Sequence, residues 1–448
     1  MSGPVLVLGL GVTGRAVLDA LSSRGLEAFG VDDRPGWEAR TCAERLSVEL
    51  VESPLPEDWG ALLERAGEVV VSPGVPDGHP VFAAAATAGV QVLDESDLAT
   101  RWDTRPRCAV TGTNGKTTVV TLVTDMLQRS GLVAVTAGNT DTPLVAAIDD
   151  VDADVFVVEA SSFRLGHAAG FSASPAVWLN FAPDHLDVHA DLAAYEEAKA
   201  RIWEGVASPG DAVANLADAV VAARAPSGAT GFGTPDAACH VRAGVLTLEG
   251  SPVVEVEEMG RSMPHDLENA QAACILAVLA GANLEACAGS LRSFSGLEHR
   301  MSFVAEVDGV RYVDDSKATT PHATLTAMAA LPGAVLILGG RNKGLDLERL
   351  ADGRPRAVVA IGEAAGEMAA AFDGACPVVI ASSMEEAVMS ARDSAAGTGT
   401  VLLSPGCSSF DWYGSYAERG RDFHGGRRGE DVVVLVRLVP LGLQIIYY

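Results

Sequence analysis

The run Thr111-Gly-Thr-Asn-Gly-Lys-Thr-Thr118 is the densest concentration of phosphate chemistry in the 448-residue chain. Gly112 and Gly115 let backbone N–H groups turn inward toward phosphate oxygens, Lys116 reaches the terminal phosphates, and the Thr117 hydroxyl can ligate Mg²⁺. Thr113, Asn114 and Thr118 complete the loop. The usual phosphate loop carries a glycine five residues ahead of Gly115; Val110 stands there, so this is a compact variant. It predicts ATP or GTP as ligand.

Glu159 closes the apolar run Asp154-Val-Phe-Val-Val-Glu159, and His185 follows Ala176-Val-Trp-Leu-Asn180 across a short loop. Both fall past the carboxyl ends of parallel strands, where ligands bind in such sheets. A carboxylate suits Mg²⁺. The imidazole suits it less, because that ion prefers oxygen, and by itself His185 reads as a surface histidine. Lys199, on the helical stretch Tyr195-Glu-Glu-Ala-Lys-Ala-Arg-Ile-Trp203, reads by pattern alone as a solvated lysine. Asp315-Ser-Lys317-Ala-Thr319 reads as a capped helix start, and Gly339-Gly-Arg-Asn-Lys343-Gly as a polar turn. Two lysine-bearing loops at strand ends of one domain suggest that this domain meets anions.

A second glycine-rich turn, Gly9-Leu-Gly-Val-Thr-Gly14, follows a strand and opens a helix, and Asp32 and Asp33 end the next strand. The glycines allow a tight turn, the helix N-terminus attracts a phosphate, and the acid suits a ribose. Three readings satisfy this physics: NAD, another nucleoside diphosphate, or a turn with no ligand.

Apolar runs rich in Val, Ile and Leu alternate with helical stretches throughout, the pattern of parallel sheets covered by helices. The first block has strands at 4–10, 27–31, 68–71 and 90–93 and a helix at 15–24, and breaks at Thr100–Pro106. The second has strands at 107–111, 154–159 and 176–180. Its helices at 117–129, 193–203 and 267–280 bracket a less regular, strand-like region. The third, after Gly296, has strands at 310–313, 334–338, 357–361, 378–380 and 400–403. The expectation is an α/β protein of three domains: Rossmann-like over 1–104, a P-loop NTPase-like parallel sheet over 105–297, and Rossmann-like over 298–448.

A net charge of −27 opposes a nucleic-acid partner, and the basic cluster Arg419–Arg428 is interrupted by Asp422 and flanked by Glu418 and Glu430. Seven cysteines without C-x-x-C spacing fit a reducing cytosol, and no run is apolar enough to span a membrane. The N-terminal apolar run reads as a strand rather than a signal peptide. The tail Val432–Tyr448 is apolar but interrupted by Arg437 and Pro440. It reads as a last strand, a membrane-surface contact or a non-native extension.

In this order, the pieces resemble the Mur ligase family, the ATP-dependent amino-acid ligases of peptidoglycan synthesis. The match runs from the first strand to about Phe423. Leu8-Gly-Leu-Gly-Val-Thr-Gly14, Val71-Ser-Pro-Gly-Val-Pro76 and Leu402-Leu-Ser-Pro-Gly-Cys-Ser-Ser-Phe-Asp411 resemble the branch that adds D-glutamate. The resemblance implies that the first domain binds the UDP of UDP-N-acetylmuramoyl-L-alanine, through Val12, Thr13, Asp33, Arg34 and Ser72, with Asn139 as a further substrate contact. It implies two Mg²⁺ ions, one held with ATP by Lys116 and Thr117, the other among Glu159, His185 and a carbamylated Lys199. Asn269, Arg300, Asp315 and Lys317 would serve ATP, and Thr319, Lys343, Ser409 and Tyr416 the incoming D-glutamate. Lys116, His185, Lys199, Arg300 and Lys317 would carry the catalysis, through an acyl phosphate, in a cytoplasmic monomer.

The chain departs from the family at Thr140-Asp141 (usually Ile-Gly), at Asp266 and Thr320 (usually Asn), and at Tyr416 (usually Phe). Three alternatives stay open: a related ligase adding another amino acid, an NAD-dependent enzyme, and a nucleotide-binding sensor without turnover. A sensor has no need of a second metal.

Overall fold

The computed structural model describes residues 3–140, 142–184 and 188–425. His185, Asp141 and the tail Val432–Tyr448 lie outside the described residues. Three sheets organise the chain, and each is rich in strands buried on both faces, as parallel sheets covered by helices require.

The first sheet comprises β1 (Val5–Leu8), β2 (Ala28–Asp32), β3 (Leu50–Glu52), β4 (Glu68–Val71) and β5 (Gln91–Leu93). Its order, β3-β2-β1-β4-β5, is parallel throughout and doubly wound. The second comprises β6 (Arg107–Thr111), β7 (Ala134–Gly138), β8 (Val155–Glu159), β9 (Ala176–Trp178), β10 (Ala212–Asn215), β11 (Thr230–Phe232), β12 (Cys239–Arg242), β13 (Val245–Leu248) and β14 (Ser251–Glu255). Its order is β14-β13-β12-β11-β10-β9-β6-β8-β7. The chain leaves β6 toward β7 on one side and returns from β8 to β9 on the other, so a crevice opens at the carboxyl end of β6.

These two sheets belong to one compact unit, and one apolar cluster runs through both, from Val5 and Leu18 to Ala109, Phe156 and Trp178. The helix Glu95–Trp102 joins them: the buried Glu95 carboxylate accepts the N–H groups of Leu144 and Val145 at 3.1 and 2.7 Å. That helix, capped by Asp94, carries the chain through the first half of the expected break at Thr100–Pro106.

The third sheet forms a second unit, with β15 (Ser302–Val307), β16 (Val310–Asp314), β17 (Val335–Gly339), β18 (Ala357–Ile361), β19 (Val378–Ile380) and β20 (Gly399–Gly406) in the order β15-β16-β20-β17-β18-β19. Among the described residues it has six strands where five are expected. The extra one, β15, pairs antiparallel with β16 across Asp308-Gly309, both at positive φ as a two-residue hairpin of matching twist demands. The "less regular" region resolves likewise into the meander β12-β13-β14, turned by Ala243-Gly244 and Glu249-Gly250. Also beyond the expected strands are β3, a short edge strand, and β7, whose Thr-Ala-Gly ending dilutes the apolar signal.

Candidate active site

The loop after β6 enters the helix Lys116–Arg129 through Gly115, which has φ 86° and offers no side-chain cap. A Cβ on Gly112 (φ 154°) would lie 2.9 Å from the Leu179 side chain, and one on Gly115 would lie 2.5 Å from the Asn269 amide oxygen. Asn269 therefore rests against the loop. Asp266, one turn earlier, accepts from Arg261 Nε at 3.1 Å and from the Met263 N–H at 3.3 Å. An acid at this departure is consumed in starting its helix.

Asn180, which the sequence reading does not single out, latches the loop. Its side-chain oxygen accepts the Asn114 N–H at 2.9 Å, its amide donates to the Asn114 carbonyl at 3.2 Å, and its own carbonyl accepts the Thr113 N–H. Its place two residues past β9 is the only signal it gives in the sequence. The Thr113 hydroxyl meets the Tyr195 hydroxyl at 3.2 Å.

Lys116 Nζ donates to the carbonyls of Gly112 and Thr113 at 2.8 and 3.0 Å. Lys199 Nζ donates to that same Gly112 carbonyl at 2.9 Å and lies 4.7 Å from the centre of the Tyr195 ring. At 1% exposure Lys199 overturns the solvated reading. The helix Leu192–Ala200 packs on Ser162–His167, and that turns the lysine inward.

Glu159 pairs in register with Val110 and Gly138, which puts its carboxylate beside the loop. Its Oε1 accepts from Asn139 Nδ2 at 3.1 Å; its buried Oε2 has no hydrogen-bond partner among the described residues. A buried carboxylate oxygen with nothing to accept is costly unless a cation completes it. Together with Thr117 on the first helical turn, this oxygen fits a hard dication that takes oxygen ligands. His185 lies outside the described residues.

The turn after β1 lines a cavity of about 990 Å³, and Val12, Thr13, Asp33, Arg34, Ser72 and Asn139 all face it. Its helix, Val12–Ser23, also starts without a side-chain cap. Gly14 is mandatory, since a Cβ there would fall 2.0 Å from the Gly9 carbonyl oxygen. Asp32, taken above as one of two ribose acids, is committed elsewhere. Its carboxylate accepts the N–H groups of Leu10 at 2.6 Å and Arg34 at 2.8 Å, leaving Asp33, 54% exposed and 3.1 Å from His79 Nε2, as the available acid. Ser72 Oγ donates to the Gly9 carbonyl at 2.5 Å.

Arg164, absent from the sequence reading, ties this cavity to the second sheet. It binds Glu95 closely and donates to Thr13 Oγ1 at 3.3 Å and to the Gly138 carbonyl at 3.2 Å. Burial opposes its charge, but Glu95, Asp94 and Glu159 outweigh burial and hold it protonated.

In the second unit, Lys317 Nζ lies 5.1 Å from the centre of the Tyr416 ring, and Ser316 Oγ donates to the Tyr416 carbonyl at 2.7 Å. The loop bearing Lys343 is bridged to the one bearing Ser409 by paired backbone bonds between Arg341 and Ser408. Thr319 is half-buried, and Thr320 caps the helix Pro321–Ala330, which explains a hydroxyl at that departure. Asp315 is fully enclosed. It accepts from Ser404 Oγ at 2.8 Å and the Met301 N–H at 3.2 Å; burial pushes its carboxyl up to about 7, with half-buried Arg300 opposing.

Arg419, set aside above within a broken basic cluster, is almost wholly buried. It donates to Ser316 Oγ, the Ser316 carbonyl and the Cys407 carbonyl, and burial pulls it down to about 10. It thus fixes the Lys317 loop against the loop after β20.

Three family models match along the chain: Mur ligase MurD-like N-terminal domain over residues 3–94, Mur ligase middle domain over 110–277, and Mur ligase glutamate ligase domain over 299–407. The UDP-N-acetylmuramoylalanine–D-glutamate ligase of Frankia casuarinae is 40% identical, covering 96% of this chain and 94% of its own. Its counterpart from Desulfosudis oleivorans is 39% identical, covering 94% and 95%. Among solved structures, UDP-N-acetylmuramate-alanine ligase from Thermotoga maritima shares the fold at TM-score 0.57 and 17% identity, over 94% of this chain and 98% of that one. MurF from Acinetobacter baumannii does so at TM-score 0.59 and 15% identity, over 85% and 88%.

Proposed function

The chain belongs to the Mur ligase family, and we propose that it joins D-glutamate to UDP-N-acetylmuramoyl-L-alanine, driven by ATP and Mg²⁺, in the cytoplasm. The observation that carries the reading is the gathering around one glycine loop of Lys116, Lys199 and a Glu159 oxygen that has no partner among the described residues.

In this reading the N–H groups of Gly112–Thr118 and the uncapped helix start hold the ATP phosphates, with Asn269 beside them. Lys116 exchanges the carbonyls of its own loop for phosphate oxygens. Thr117, Glu159, His185 and a carbamylated Lys199 would hold two Mg²⁺ ions, which supply charge neutralisation between phosphate and carboxylate. Carbamylation adds CO₂ to the neutral Lys199 amine with loss of one proton, the ammonium having first given up another, so a cation becomes an anionic oxygen donor.

The alanyl carboxylate of the substrate attacks the γ-phosphorus, the bond to the bridging oxygen breaks, and ADP leaves an acyl phosphate behind. The D-glutamate amine then attacks the acyl carbon, loses a proton and expels phosphate. Arg300, Asp315 and Lys317 serve the phosphates, and Thr319, Lys343, Ser409 and Tyr416 the amino acid. Of the residues that line the 990 Å³ cavity, Val12, Thr13, Asp33 and Arg34 would hold the UDP end, with Ser72 and Asn139 along the rest of the substrate.

Phosphate release with UDP-N-acetylmuramoyl-L-alanine crossed with D-Glu, L-Glu, L-Ala, meso-diaminopimelate and L-Lys tests this. Only D-Glu should sustain turnover; equal turnover with another amino acid overturns the assignment. Binding of NADH without competition from UDP would instead revive the oxidoreductase reading of the first turn.

A further inference from the structure

Two imidazoles converge on one carboxylate oxygen in the second unit. Nδ1 of His299 lies 2.6 Å and Nε2 of His424 2.8 Å from Asp314 Oδ2, and all three atoms fall within 4.8 Å of one another. The residues come from three separate places: the segment before β15, the end of β16, and the position just past the helix Tyr416–Phe423.

The cluster is held in shape. Asp314 is fully buried, and its other oxygen accepts the Ser316 N–H at 2.8 Å, which fixes the carboxylate plane. Burial alone would push that carboxyl up, but the two imidazoles outweigh it and keep it below the usual range, hence ionised. His299 sits at φ 60°, a conformation non-glycine residues rarely adopt. A Cβ on Gly420 would fall 2.1 Å from His299 Nδ1 and 2.8 Å from Asp314 Oδ2, so only glycine lets the last helix come close enough to deliver His424 one turn later.

We propose that His299, Asp314 and His424 bind a single borderline transition-metal dication of the Zn²⁺, Co²⁺ or Ni²⁺ class. Two nitrogens and one carboxylate oxygen suit these ions and serve Mg²⁺ and Ca²⁺ poorly. Bond lengths near 2.0–2.1 Å in a tetrahedral site put ligand atoms roughly 3.3 Å apart, so each imidazole nitrogen needs to draw away from Oδ2 by only about 0.5–0.7 Å. His424, with 38% of its side chain exposed, supplies that give, and its open side leaves the fourth position to water. Each imidazole N–H now spent on Oδ2 moves to the ring's other nitrogen as the metal takes the lone pair, so no proton need be lost. Through the chain, the ion would stiffen the neighbours Arg300 and Asp315.

The alternative is a hydrogen-bonded tie without metal affinity. His424→Gln separates the two, because the glutamine amide still donates to Asp314 but offers no imidazole nitrogen. The full chain is stripped with chelator, supplied with saturating Mg²⁺ to occupy oxygen-rich sites, and titrated with Co²⁺ alone. Calorimetry and visible d–d absorption report the binding. Wild type should take up one Co²⁺ with a low-coordinate spectrum, and Zn²⁺ should raise its melting temperature. His424→Gln should bind Co²⁺ at least about tenfold more weakly and show no Zn²⁺-dependent shift, with metal-free melting and Mg²⁺-supported turnover unchanged. Equal Co²⁺ binding by both proteins, or none by wild type, overturns the proposal.

Discussion

The turn after β1 and the loop after β6 share a plan: each leaves a buried parallel strand through glycines and enters a helix that has no side-chain cap. Some helices elsewhere, those behind Asp94, Asp191, Thr320 and Ser383 among them, are capped by side chains. The two differ in what their polar groups are committed to. After β1, Asp32 is spent on two backbone N–H groups, Ser72 on a carbonyl, and Arg164 on Glu95. After β6, two lysine amines share the Gly112 carbonyl and a buried Glu159 oxygen accepts nothing among the described residues. A site that only holds a diphosphate can be internally satisfied. One that moves a phosphoryl group must keep charges ready to change partners, so that little reorganisation falls in the reaction itself.

The largest test of that contrast is Lys116→Ala. It should lower kcat for phosphate release by about 10²–10³-fold or more, while UDP-substrate affinity measured by calorimetry stays within about twofold. Loss of both together would mean that the two turns are not independent.

Gly14→Ala attacks the other turn. Its methyl group would stand 2.0 Å from a backbone oxygen, so the helix start must shift, at a cost of about 1–3 kcal/mol or more. Denaturant melts should show the loss, and UDP-substrate affinity should fall at least about tenfold with ATP affinity retained.

Asp315 shows a third treatment of charge at a strand end, burial with hydroxyl and backbone donors only partly compensating. Its carboxyl lies near 7 when folded against 3.8 for an ordinary aspartate, so between these the native state holds a proton that the unfolded chain has released. Its contribution to stability is therefore full below about pH 4 and declines as pH rises toward 7. Relative to Asp315→Asn, wild type should lose on the order of a few kcal/mol between pH 4 and pH 8 in urea melts. A flat difference between the two proteins would disprove the assignment.

Asn180→Ala is the mildest. Removing the two side-chain bonds to Asn114 should cost about 1–2 kcal/mol and raise KM for ATP several-fold, with KM for the UDP substrate unmoved.

The sequence alone determined the α/β class, the strands at Glu68–Val71, Arg107–Thr111, Ala357–Ile361 and Val378–Ile380 to the residue, and the glycine-rich loop that leads from β6 into a helix. These rest on local properties: apolar runs, glycine positions, and a lysine at fixed spacing. The hairpin at Asp308-Gly309 was equally local, and unexpected because its strand β15 includes Ser302 and Glu306 and is nowhere fully buried. Tertiary structure decided the rest. Lys199 looked solvated because helical periodicity cannot say which neighbour covers a face, and Arg419 showed only as one member of a broken basic cluster for the same reason. The roles of Asn180, Arg164 and the His299–Asp314–His424 cluster were equally hidden, since each depends on partners 15 to 110 residues away. Spacing reports what a segment can do by itself; only packing reports which charges meet, and which are left waiting for a partner.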